Sequence, residues 1–159
     1  MKYTCFYFLS LFFLLSSCDR KEENILIFKY ALETNTAEKY VLNTKKNDSI
    51  LYFQYRNLKD TRSLHDLNYI VGKEQLKFQT KTFLATEENY NSESFKFNIF
   101  EIKDSNTVLR TLVFNENYGL LASIGFGENF IFSKDSLTPR IKELTFKKIF
   151  RSINNLKVQ

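Results

Sequence analysis

Four side chains offer the chemistry that this sequence could use: the thiol of Cys18, the imidazole of His65, and the carboxylates of Glu87 and Glu88. A thiol can be acylated, or can act as a nucleophile once it has lost its proton. An imidazole can transfer protons near neutral pH, and paired carboxylates can exchange protons or bind a cation. The neighbours of each group decide which of these chemistries the chain can support.

His65 is the only histidine, and it lies beside Ser63 and Asp66, an order that suggests a hydrolytic triad. Neighbouring residues of a strand point to opposite faces, however, so closeness in the sequence does not assemble a triad. A zinc site would need several further ligands, and no cysteine follows Cys18. We therefore interpret His65 as a structural histidine, exposed or hydrogen-bonded, and keep it only as a secondary site candidate.

Glu87 and Glu88 are adjacent in a polar segment from Thr86 to Glu93 that we predict to be a loop. Such a loop could hold a cation or an acid–base pair, although exposed acidic loops are usually just solvated. The Asp-x-Asp-x-Asn pattern of a calcium loop is absent from the sequence. The sequence therefore predicts neither a metal nor a cofactor, and both glutamates remain candidates without an assigned role.

Residues 1–17 have the three zones of a secretory signal peptide. Lys2 supplies a positive start, Cys5 to Leu15 form an apolar core, and Ser16 and Ser17 are small. The apolar core is much shorter than the roughly 20 residues of a membrane-spanning helix. We therefore predict cleavage between Ser17 and Cys18.

Leu15-Ser16-Ser17-Cys18 resembles the lipobox of bacterial lipoproteins, in which a leucine and two small residues precede the modified cysteine. The resemblance implies that Cys18 receives a diacylglycerol, that cleavage occurs directly before it, and that its new amino group is acylated. Two or more acyl chains anchor a protein stably, whereas one chain holds it only marginally. The implied protein is therefore attached to a membrane of the cell envelope by its first mature residue.

Residues 18–24 are predicted to be the lipidated cysteine and a charged tether. Lys21-Glu22-Glu23 resembles the export tag of surface lipoproteins in Bacteroidota, which favours the outer membrane and the cell surface. Asp19 favours the inner membrane under the rule known from enteric bacteria, and an ordinary solvated tether is an equal alternative. We favour the outer membrane and leave the leaflet open.

The composition of the mature chain excludes several classes of protein. Its 22 basic and 18 acidic side chains give a mild net charge of +4, without the strongly basic patch that nucleic-acid binding requires. No disulfide can form in the domain, so its stability depends on its core. Thirteen Phe and seven Tyr remain to fill that core. Residues 25–159 are expected to form one domain.

Short apolar and aromatic runs separated by polar turns predict an antiparallel sheet. The runs are 25–32, 39–42, 49–56, 75–85, 94–102, 107–114, 120–126 and 130–132, while 64–71 fits either a helix or a strand. Gly125-Phe126-Gly127 lacks the third glycine of a dinucleotide loop and predicts a strand bend or bulge. We expect a mainly β or α+β fold, with a curved sheet or half-barrel of six to eight strands.

Thr138-Pro139 predicts the start of an amphipathic C-terminal helix, over about 139–154. Apolar residues recur there at helical spacing, and the tail from Lys134 onward carries seven basic and two acidic residues. A terminal strand through Leu144 and Phe150 is the alternative. The helix either covers the apolar face of the sheet, which we prefer, or rests on anionic head groups.

The sequence favours binding over catalysis, because it contains no recognisable catalytic set. We expect a non-catalytic, membrane-anchored lipoprotein that binds a partner protein or an apolar ligand at the envelope, and no nucleic acid. A structural or assembly accessory of an envelope complex is the second hypothesis. A hydrolase that uses His65 or the loop carboxylates is the third.

Overall fold

The computed structural model describes residues 23–34, 36–105 and 107–154. The predicted signal peptide and the cleavage and lipidation site at Ser17 and Cys18 lie outside these residues. The described elements are β1 (Glu23–Ala31), β2 (Ala37–Asn47), β3 (Ile50–Asn57), β4 (Leu64–Ile70), β5 (Gln75–Phe78), β6 (Lys81–Asn91), β7 (Lys96–Asp104), β8 (Thr107–Asn115), β9 (Gly119–Gly125), β10 (Phe130–Ser133) and α1 (Pro139–Ile153).

The ten strands form one closed antiparallel barrel. Each strand pairs with its neighbours in the chain, and β1 also pairs with β10, for example Lys29 with Phe132 and Tyr30 with Ile131. The mainly β class and the single antiparallel sheet are therefore confirmed. The expectation of a curved sheet or half-barrel with six to eight strands was wrong, because the sheet has ten strands and closes on itself.

The additional strands come from segments whose local pattern was misleading. The alternating run 75–85 is a hairpin, because Gln79 has a positive φ of 55° and turns the chain between β5 and β6. The segment predicted as a polar loop, Thr86 to Glu93, lies mostly in β6, whose pairing with β7 is irregular between Ala85 and Asn89. The ambiguous run at 64–71 is strand β4.

Aromatic rings fill the inside of the barrel. Sixteen buried residues form the interior cluster, among them Tyr40, Phe53, Tyr55, Phe114 and Phe132. Tyr55 stacks on Phe132 with ring centroids 4.6 Å apart, and Phe53 meets Phe114 edge-on at 5.2 Å. A barrel of about eight strands is just filled by ordinary side chains, so ten strands need the larger rings that this sequence supplies. The interior is a packed core.

Helix α1 packs on the outer wall of the barrel, as the preferred alternative predicted. The hydroxyl of Thr138 accepts the N–H of Ile141 at 3.4 Å and caps the helix start. Phe146 and Ile149 join a second buried cluster with wall residues such as Ile131. Among the described residues, no helix has the length and apolar character needed to cross a bilayer.

We predict that Tyr55→Phe lowers the free energy of unfolding by about 1–3 kcal/mol, measured by chemical denaturation. The buried phenol oxygen of Tyr55 accepts the backbone N–H of Leu120 at 2.7 Å, so phenylalanine would leave this donor without its acceptor. Tyr52→Phe, on the same strand but only half-buried, is the matched control and should change stability little. Equal effects of the two substitutions would contradict the prediction.

Candidate functional site

The candidate site, here called the mouth, is the end of the barrel where the odd-numbered strands finish. A cavity of about 260 Å³ opens there. It combines buried aromatic rings with exposed polar and charged groups of both signs. Its lining residues are His65, Phe78, Gln79, Lys81, Phe83, Arg110, Phe126, Glu128 and Phe130.

His65 points into the mouth from β4, on the same inward face as Leu67 and Tyr69. Its ring lies nearly parallel to those of Tyr40, Phe78 and Phe130, with centroid distances of 5.7–5.9 Å. Both imidazole nitrogens are inaccessible to solvent and have no hydrogen-bond partner among the described residues. His65 therefore differs from the exposed or hydrogen-bonded histidine that the sequence led us to expect.

The triad suggested by the sequence is not assembled. The Ser63 hydroxyl lies 2.9 Å from the Tyr40 hydroxyl. Asp66 faces outward, where it accepts a hydrogen bond from Gln54 at 3.3 Å. Since neither residue is bonded to His65, the structure contains no nucleophile–base pair at these positions.

Burial lowers the pKa of His65 below its ordinary value, and the nearby charge of Lys29 lowers it further. Glu128, Glu38 and Asp66 act in the opposite direction but do not cancel these effects. The imidazole is therefore neutral at pH 7, with one N–H donor and one nitrogen acceptor. Leaving a buried polar group unpaired costs about 1–3 kcal/mol. His65 therefore lowers the stability of the fold.

Lys29 forms a second polar centre at the mouth. Its buried ammonium lies 2.7 Å from a Glu128 carboxylate oxygen, 4.0 Å from one of Glu38, and 4.9 Å from the centre of the Phe130 ring. The ion pair links β1 to the β9–β10 loop. The sequence analysis did not identify Lys29 as a site residue. The alternate positions of Ile25, Ile27 and Lys29 were the available signal, because they place the lysine on the inward face of the strand.

The β9–β10 loop holds an exposed ring beside the cavity. Arg110 donates hydrogen bonds to the carbonyl oxygens of Phe126 and Glu128, the latter at 3.0 Å. Gly125 has a φ of 143°, and a Cβ there would lie 2.4 Å from the Leu109 carbonyl oxygen. Phe126 is nevertheless 73% exposed. The Gly-Phe-Gly motif thus bends the chain at the end of β9, in the β9–β10 loop, as the sequence predicted.

The other two candidates lie elsewhere. Glu87 and Glu88 belong to the irregular part of β6, where the Thr86 hydroxyl accepts the N–H of Glu88 at 3.2 Å. Neither glutamate lines the mouth. Within the described ranges, no group of three or more His, Cys, Asp or Glu residues is placed to hold a metal ion.

No protein-family model, curated protein or solved structure matches this chain. Its own residues must therefore indicate what the mouth can do. Glu128 is paired with Lys29, Arg110 is bonded to backbone oxygens, and no nucleophile–base pair joins Ser63 to His65. A fixed, exposed ring next to a cavity with a polar rim is an arrangement suited to binding.

We predict that the free energy of unfolding falls as the pH is lowered from 7.5 to 5.5. Because the folded pKa of His65 lies below the unfolded value of 6.5, the unfolded chain binds more protons between these values, and acid favours it. Denaturation across this range should show the loss, and His65→Phe should remove it, since the chain has no other histidine. Parallel curves for native chain and variant would contradict this assignment.

Proposed function

We propose that this chain is a lipid-anchored protein of the bacterial envelope that binds a partner protein at the mouth and catalyses no reaction. The observation that carries the proposal is Phe126, a large ring that is 73% exposed on a loop fixed by Arg110. Exposed aromatic residues next to a cavity are typical anchors of protein–protein interfaces.

The surroundings of Phe126 support a protein interface. Lys81, Gln79 and Glu128 give the mouth a polar rim with both signs of charge, and polar rims surround the apolar anchors of most interfaces. The loop is already held in one conformation, so binding would cost little entropy of ordering. A rigid anchor and a mixed rim together favour a specific partner.

The filled interior favours a partner protein over an apolar ligand enclosed by the sheet. Inward-facing residues such as Tyr40, Leu112 and Phe132 are almost completely buried. A ligand inside the barrel would have to displace these rings. The unassembled Ser63–His65–Asp66 group likewise gives no support to a hydrolase.

The proposed anchor leaves the mouth accessible. Strand β1 begins with Glu23 at the end opposite the mouth. At about 3.5 Å per residue, the five steps along the chain from Cys18 to Glu23 reach no further than about 18 Å. The tether is therefore too short to cover the mouth, and the Lys21-Glu22-Glu23 tag supports the outer membrane as the site of attachment.

We predict that a photo-crosslinking residue at position 126 captures a discrete protein neighbour in the cells that produce this chain. The change is Phe126→p-benzoylphenylalanine, and the adduct is identified by mass spectrometry. Leu84→p-benzoylphenylalanine is the matched control, because Leu84 is 56% exposed on β6 and lies outside the mouth. No adduct from position 126, adducts to lipid alone, or the same adducts from both positions would overturn partner binding at the mouth.

We predict that the native chain incorporates a clickable palmitate analogue in growing cells and that Cys18→Ala abolishes the labelling, as read by in-gel fluorescence. Acylation needs the Cys18 sulfur, so alanine removes the attachment point. Cys5→Ala is the matched control and should remain labelled, because Cys5 lies in the predicted signal peptide. Equal labelling of the native chain and Cys18→Ala would refute the lipid anchor.

A further inference from the structure

We infer that the outward face of α1 rests on the surface of an anionic lipid bilayer. Phe146 and Ile149 already fill the contact between the helix and the barrel wall. Leu144 is nevertheless about half exposed on the outward face, and Ile141 and Phe150, exposed to a similar extent, flank that face on its two sides. A helix that served only as a cover would leave this surface polar.

A shallow groove extends this apolar surface. It lies between α1 and the loops that follow β1 and β9, and has a volume of about 370 Å³. Leu32, Ile124, Phe146 and Phe150 form its apolar lining, and exposed Lys147 and Arg151 stand beside them. None of the described residues that line it is acidic. Apolar surface bordered by cations matches the acyl region and the head group of an anionic lipid.

The charge of α1 is directed outward. Arg140, Lys147, Lys148 and Arg151 are exposed, and Glu143, which forms an ion pair of 2.7 Å with Lys147, is the one acidic residue of the helix. Lys142 is buried, and its ammonium donates to the Thr34 carbonyl oxygen. The outward face therefore carries a net charge of +3, which is complementary to an anionic surface.

The proposed acyl anchor at Cys18 would hold the barrel next to the bilayer, so the choice of a bilayer as the anionic surface rests on the proposed function. Strand β1 pairs with β10, and both contribute to the wall beneath α1. The first strand of the barrel therefore borders the wall that α1 covers. A tether of at most about 18 Å then allows this side to lie against the membrane.

Tryptophan fluorescence provides the test, because the chain has no tryptophan. Phe150→Trp places a probe on α1. Leu58→Trp is the matched control, since Leu58 is also 52% exposed and follows β3 on the opposite wall. The chain from residue 18 onward, with Cys18→Ser, contains every described element and carries no acyl group.

We predict that vesicles of phosphatidylcholine with phosphatidylglycerol shift the emission of Trp at position 150 to shorter wavelength, and that pure phosphatidylcholine does not. The probe at position 58 should not shift with either. Lys148→Gln together with Arg151→Gln should lower the partition coefficient roughly thirty-fold, given the attraction of each basic residue to an anionic surface. Lys46→Gln together with Lys73→Gln, at the far end of the barrel, should leave it unchanged.

Three results would overturn the docking: no shift at position 150 with anionic vesicles, equal shifts at both positions, or equal losses from the two double variants. Because the vesicle assay uses a chain without an acyl group, its result does not depend on whether Cys18 is acylated. Absent vesicle binding alongside normal palmitate labelling would reject the docking alone. Absent labelling alongside normal vesicle binding would reject the anchor and leave the apolar–basic face as a membrane contact.

Discussion

The structure depends on the pairing of β1 with β10, which turns an antiparallel sheet into a closed barrel. The contact is short, because it joins only four residue pairs, from Phe28 with Ser133 to Ala31 with Phe130. The small strand β10 is buried on both faces: Phe130 and Phe132 enter the interior, and Ile131 lies in the cluster beneath α1. The helix therefore stabilises the point where the ring closes, and closure removes both exposed sheet edges.

The same closure creates the mouth. It brings Lys29 of β1 next to Glu128, which precedes β10 by two residues and lies 99 positions away in the sequence. It also brings Phe130 against His65. The fold thus places a buried lysine, paired with a half-exposed glutamate, and an unpaired imidazole at one end of an apolar and aromatic core. Unpaired buried groups reduce stability, and functional sites are where proteins retain such groups.

Local signals in the sequence predicted the elements better than their assembly. Thr138-Pro139 correctly placed the helix start. The β5–β6 turn was missed because Gln79-Thr80 contains neither glycine nor proline. The one sign of this turn in the sequence was Phe83, an apolar residue on the face that is otherwise polar in the alternating run. The sequence also contained no sign that Lys142 would be buried on α1 while Ile141, Leu144 and Phe150 stay about half exposed.

The mouth was less predictable than the strands, because its contacts are made by residues far apart in the chain. Nothing near Arg110 in the sequence indicates that it holds Phe126 and Glu128, and nothing near His65 indicates its three aromatic neighbours. The two proposals are geometrically compatible. If α1 rests on the bilayer, the mouth would open along the membrane surface, where a membrane-attached partner would meet Phe126.

Hydrogen exchange followed by NMR tests closure most directly. In a closed barrel, the hydrogen-bonded amides of Phe28–Ala31 and Phe130–Ser133 should exchange only through global unfolding, with the same free energy as the central amides of β7 and β8. Exchange of the β1 and β10 amides at a much lower free energy, while β7 and β8 stay protected, would show an open sheet. That result would contradict the closed barrel and the mouth that depends on it.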